Sequence, residues 1–109
     1  MKVVINKVHG GFGLSKKAML RYAKLKGIKL TILEGEFFYT YLTKEGKELY
    51  DRNIPRDDPA LVQTVEELGS KADGHFAKLK VVKIPDDVVW YVEEYDGLEW
   101  IAEKHRTWS

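Results

Sequence analysis

The residues with most to offer chemistry lie in the run "EWIAEKHRTWS", where His105, Arg106 and Trp108 stand with one residue to spare. An aromatic face stacks on a nucleobase at about 1–3 kcal/mol, and a hydrogen bond to a charged group contributes about 1.5–3 kcal/mol. One stack and a few such bonds hold a nucleotide-like ligand tightly, and a site so near a chain end is often completed by a second subunit. The competing reading is that Trp108 caps the core while Arg106 pairs with Glu103 or Glu99. A second pair of cations, Arg52 and Arg56 in "YDRNIPRDDP", offers planar forks suited to bidentate recognition of an anion. Local salt bridging and capping with Asp51, Asp57 and Asp58 competes with that role.

The loop "HGGFGLSKK" follows a strand and opens a helix, a setting in which backbone N–H groups hold a phosphate, here with Lys16 or Lys17 assisting. Its spacing matches neither the P-loop nor G-x-G-x-x-G, so nucleotide-triphosphatase chemistry has no support and a plain strand-to-helix turn is the alternative. His9, His75 and His105 lack the i, i+4 spacing of a helical zinc site. Glu99, Glu103 and His105 share a strand parity, but such a row is ordinary on a solvated edge strand, and no metal is expected. Ser15, Ser70 and Ser109 sit in no nucleophile elbow or triad context. With no cysteine in the chain, disulfides, thiol nucleophiles and thiolate metal sites are excluded. Neither catalytic residues nor a cofactor are expected.

The 109 residues form one domain's worth of chain, with 44% hydrophobic and 32% charged residues, the profile of a globular protein with a real core. Eighteen Lys and Arg oppose seventeen Asp and Glu, for a net charge of +1. That balance argues against a surface built for long DNA or RNA, which relies on clustered cations to neutralise many phosphates. No apolar run approaches the roughly 20 residues of a membrane span, and "MKVVINKVHGG" lacks the apolar core of a signal peptide. A cytoplasmic protein is expected.

These residues must be positioned by a small set of elements. "KVVIN" reads as a strand, and Ser15 stands as N-cap of a helix over residues 16–26 that Gly27 ends. Ala18, Met19, Tyr22, Ala23 and Leu25 form its apolar stripe, and Lys16, Lys17, Arg21, Lys24 and Lys26 make the other side basic. "IKLTIL" and "FFYTYL" pair as strands, with "KELY" as an optional third. Asp58 caps a second helix with Pro59 at its first position, Leu61, Val62, Val65 and Leu68 on its buried face and Gly69 at its end. "HFAKLKVVKI", "VVWYVEEY" and "LEWIAEKHR" follow as a three-strand meander, the last two joined at Asp96-Gly97. A two-residue turn there sets Tyr91 with Trp100 and Ala102 on one face, whereas a one-residue bulge sets Trp90 with Trp100. The expected class is α+β, a mainly antiparallel sheet with two helices in the order β-α-β-β-(β)-α-β-β-β, forming a single domain over residues 1–109.

"RDDPALVQTVEELGSKADGHFAKLKVVKIPDDVVWYVEEYDGLEWIAEKHRTW" (residues 56–108), with "INKVHGGFGLS" near the start, resembles a family of small phage-encoded proteins, the phage anti-Thoeris sponges of the first-described type. The resemblance implies a non-enzymatic protein in the cytoplasm of an infected bacterium. It would bind cyclic ADP-ribose isomers made as alarm signals and hold them uncleaved, so that the defence effector is never switched on. It also implies dimers, hexamers in some members, with ligand pockets at subunit interfaces, cyclic oligonucleotides at separate sites in some members, and an antiparallel sheet with two helices. The family's contact residues do not transfer position by position. Side-chain chemistry points to Phe76, Trp90 or Trp108 to stack on adenine, and to Arg106, Arg52, Arg56 or His105 for pyrophosphate and ribose oxygens. Arg21 and Lys24 are candidates for a second anion site in a higher oligomer, with a solvated helix face as the alternative. A second functional reading is a phage protein that binds and inhibits a host protein through its aromatic and arginine-rich edge, where Trp, Tyr and Arg concentrate binding energy.

Overall fold

Val3, Val4 and Ile5 of strand β1 (Lys2–Asn6) are all buried, so every backbone polar group of this strand needs a protein partner. Its two edges are satisfied differently. One pairs antiparallel with β4 (Leu79–Lys83), Val4 opposite Val81. On the other edge the Val4 N–H donates to the Arg56 carbonyl at 2.8 Å and the Asn6 N–H to Glu99 Oε1 at 2.8 Å. A loop and a side chain thus do the work of a third strand. The computed structural model describes residues 1–104.

Both helices have the limits their caps dictate. α1 (Lys16–Lys26) starts where Ser15 Oγ accepts from the Ala18 N–H at 3.1 Å. It ends in a Schellman motif: Gly27 takes φ 70°, its N–H reaches the Lys24 carbonyl, and the Ile28 N–H reaches that of Ala23. α2 (Pro59–Leu68) is capped by Asp58, whose Oδ1 accepts from the Ala60 N–H at 2.8 Å, with Pro59 in the first turn where no N–H is missed. The two helices pack on each other, burying Met19 and Tyr22 against Leu61, Val62 and Val65, with Phe12, Leu14 and Ile54 completing the core. Full burial of a side chain such as Leu61 stabilises by roughly 1.5–3 kcal/mol.

Asp58 does more than cap. Its Oδ2 also accepts from the Tyr22 hydroxyl at 2.8 Å and from Lys26 Nζ at 3.3 Å, tying α1 to the start of α2. Burial disfavours the charged carboxylate, but the hydrogen bonds from Tyr22, Ala60 and Lys26 together outweigh it and hold Asp58 below its ordinary value. Burial, reinforced by the same carboxylate, pushes the Tyr22 phenol up.

The remaining strands are β2 (Thr31–Glu34), β3 (Tyr39–Leu42), β5 (Trp90–Tyr95) and β6 (Leu98–Glu103), with single 3-10 turns over Asp51–Asn53 and Gly69–Ala72. The class is α+β in the expected order, with six strands in three antiparallel pairs, β1-β4, β2-β3 and β5-β6. One expectation is corrected. The last three strands form no meander: β4 pairs with β1, leaving β5-β6 as a separate hairpin. The end of β4 is held at the chain start, just before a turn at Asp86-Asp87. There the Met1 ammonium binds the Ile84 carbonyl at 2.7 Å and the Asp86 carboxylate, fastening β4 to the chain start. "KELY" contributes only an isolated bridge, Glu48 to Leu42, before the chain turns at Asp51. Among the described residues no helix is long and apolar enough to cross a membrane.

Candidate functional site

The β5-β6 turn has two residues, with Asp96 at φ 49° and Gly97 at φ 87°, the paired positive φ of a type I′ hairpin. This settles the register: Tyr91 faces Ala102 and shares a side with Trp100, while Trp90 pairs with Glu103 on the other side. The turn lies directly on the glycine segment after β1. A Cβ on Gly97 would stand 2.2 Å from the Gly11 nitrogen and 2.7 Å from that of Gly10, so this contact is backbone against backbone and admits no side chain. The Gly10 N–H donates to the Asp96 carbonyl at 3.1 Å. At the other end of the segment the Leu14 N–H goes to Asp51 Oδ2 and the Ser15 N–H to the Ala72 carbonyl. The glycines therefore serve a close docking of two turns. Lys16 stands over the Tyr39 ring, at 4.9 Å from its centroid.

A buried polar network holds the docked hairpin. Asn6, fully buried, donates from Nδ2 to the carbonyls of Val8 and Gly97 at 2.7 and 2.8 Å and accepts from the Lys78 N–H at 2.8 Å. Glu99 is 6% exposed, and besides the Asn6 N–H it takes both ends of the Arg56 guanidinium, Nη1 at 2.5 Å and Nη2 at 2.8 Å. One face of that guanidinium lies over Phe12, 3.7 Å from the ring centroid. Removing either member of such a buried pair strands the other charge, at a cost of about 3–5 kcal/mol.

Between the glycine segment, the 51–56 loop and the hairpin lies an open cleft of about 470 Å³, lined by residues 10–12, Arg52, Arg56, Glu94, Asp96, Gly97 and Glu99. That volume is within the roughly 300–1,000 Å³ of small-molecule sites. Arg52 is exposed and makes no ion pair among the described residues. The end-on fork of Arg56 is spent on Glu99, and its Nε–H meets no acceptor among the described residues. A second open hollow, of about 310 Å³, is lined by the β2-β3 tip alone, residues 34–39.

Of the residues singled out from the sequence, three come together. Arg52 and Arg56 line the cleft, and Phe76, an exposed residue outside that lining, has its backbone pressed on Gly10 of the glycine segment. Trp90 does not join them: it lies at the open end of the β5-β6 hairpin, about 20 Å along the strand from the turn. Arg21 is bound at both ends by Glu67 of α2, at 2.8 and 3.0 Å, beside the exposed Lys24. His105, Arg106 and Trp108 lie outside the described residues. His75 packs edge-on against Phe76, and His9 Nδ1 sits 3.2 Å from the Tyr95 carbonyl. Among the described residues no three His, Asp or Glu side chains are grouped to hold a metal ion.

Sequence reasoning missed the acidic side of the cleft. Glu99 was expected on a solvated row, yet it shares the inward side of β6 with Ile101, and that parity was its one available signal. Glu94 and Phe12 gave none. No protein-family model matches the chain, and neither a curated protein nor a solved structure matches it.

Proposed function

We propose that this chain is a non-enzymatic binding protein that takes a cyclic nucleotide signal of the cyclic ADP-ribose class into the cleft beside the β5-β6 turn and holds it uncleaved. One observation carries the reading: a ligand-sized cleft is lined by the exposed Arg52 together with Arg56. Phosphate oxygens go to the arginines, and adenine stacks on the exposed Phe76 ring. The ligand class comes from the resemblance to the anti-Thoeris sponges, and so do a homo-oligomeric state and a place in the infected cell's cytoplasm. Trp90 serves the cleft only if a second subunit brings it there.

Isothermal titration with cyclic ADP-ribose isomers, followed by heat denaturation and mass analysis of the released ligand, tests this reading. Binding with intact recovery is expected, and Arg52→Ala, a surface change, should weaken it by about 1.5–3 kcal/mol without moving Tm. Recovery of degraded ligand only would overturn it. A second reading, inhibition of a host protein, is favoured by the exposed Tyr91 and Trp100 on one side of the β5-β6 hairpin. A stoichiometric host partner captured by the native protein but lost with Trp100→Ser, with no isomer bound in titration, would select it.

A further inference from the structure

The charges of the cleft do not suit a bare anion. Glu99 and Arg56 neutralise each other, which leaves Arg52 as one cation beside two carboxylates, Glu94 and Asp96. Those carboxylates repel a phosphate and reward a ligand that also brings donors. They differ in how they are held. Glu94 Oε2 accepts from the Gly97 N–H at 2.8 Å, so the carboxylate is oriented by the turn itself, and its Oε1 has no donor among the described residues. Glu94 stands directly across the strand pair from Glu99, on the same side of the hairpin. The Asp96 side chain has no such anchor among the described residues.

A fixed carboxylate oxygen in the same cleft as an arginine matches a sugar whose neighbouring hydroxyls donate while its phosphate faces the cation. An acidic side chain on ribose hydroxyls is a recurrent solution to this problem. We infer that Glu94 is a specificity-determining residue of the cleft, accepting from the vicinal diol of a ribosyl phosphate whose phosphate lies toward Arg52. The inference rests on the cleft being the ligand site and deepens that reading. It predicts that the protein selects ribose over deoxyribose and that the selection depends on Glu94.

The test is titration of the full chain with adenosine 5′-monophosphate, its 2′-deoxy counterpart and cyclic ADP-ribose. The native protein should bind the ribo form at least about tenfold more tightly than the deoxy form, the size of one charge-assisted hydrogen bond. Glu94→Ala should erase that ratio while keeping deoxy-form binding and Tm, a pattern that simple loosening of the turn does not produce. Equal binding of the two monophosphates to the native protein, or a ratio that survives Glu94→Ala, overturns the inference. If cyclic ADP-ribose binds and neither monophosphate does, the role of Glu94 is overturned and the sponge reading stands. If the monophosphate ratio is present and lost with Glu94→Ala while cyclic ADP-ribose fails to bind, Glu94 is supported and the sponge reading falls.

Discussion

The molecule carries two hairpins outside the β1-β4 pair, β2-β3 and β5-β6, and they are held in opposite ways. Both are two-stranded, a form only marginally stable by itself, and both expose large aromatics, Phe37 and Phe38 at one, Tyr91 and Trp100 at the other. β5-β6 is fastened at its turn and by the Asn6, Glu99 and Arg56 network, so its tip becomes a wall of the cleft. β2-β3 is tethered at its base, where Tyr41 packs against the core and accepts from the Leu49 N–H at 2.8 Å, while the ring of Phe37 at its tip is 87% exposed. A hairpin becomes part of the cleft when its turn has backbone partners, whatever its aromatic content.

Breaking the lock on β5-β6 should make it behave like its counterpart. Glu99→Ala leaves Arg56 without its partner and is expected to cost about 3–5 kcal/mol, read by denaturant unfolding, with amide exchange in residues 98–103 rising to the level of residues 31–42. The double variant Glu99→Leu with Arg56→Met should recover part of that stability, because neither charge is then stranded although the buried Asn6 N–H loses its acceptor. Unchanged stability in Glu99→Ala would mean that the network does not hold the hairpin.

The next effect is steric. Gly97→Ala meets the Gly11 nitrogen and must also hold φ 87°, so a loss of about 1–3 kcal/mol is expected, with ligand binding weakened because the cleft wall shifts. A Tm unchanged within error would show that the two turns are not in close contact.

Asp58 sharpens the comparison from the core side. Its carboxyl is held below the ordinary 3.8, so the native state binds that proton less readily than the unfolded chain. The stabilisation is therefore complete above pH 3.8 and is lost as pH falls through the lower folded value. Asp58→Ala should cost about 1–2 kcal/mol at neutral pH and flatten the acid limb of the stability curve, measured by urea unfolding across that range. An unaltered acid limb would assign it to other carboxylates.

The smallest effect belongs to β2-β3. Phe37→Ser at its tip should change stability by no more than about 0.5 kcal/mol, and a larger loss in thermal unfolding would mean that the two hairpins are not so different.

Wherever one residue type answers a local backbone need, the chain alone announced the outcome. Ser15, Gly27, Asp58 with Pro59, and Gly69 bound the helices because a cap is decided within one turn of chain. Asp96-Gly97 announced a hairpin for the same reason, since few residues accept two successive positive φ values. The apolar stripe of α1 and the buried face of α2 followed from periodicity, with Thr64 joining the buried face once its hydroxyl bonds the Ala60 carbonyl.

The pairing of strands and the fate of charges were settled at long range. β4 chose β1 over β5 because a buried strand needs a partner for its N–H and C=O groups, however far away in sequence. Glu99 was drawn inside because Arg56, 43 positions earlier, arrives at the same point together with an unpaired Asn6 N–H. The cleft exists because Gly10 and Gly11 let a hairpin turn rest on bare backbone. Local chemistry sets which conformation a short segment prefers, whereas the partner of a buried polar group depends on where the whole chain brings its remaining donors and acceptors.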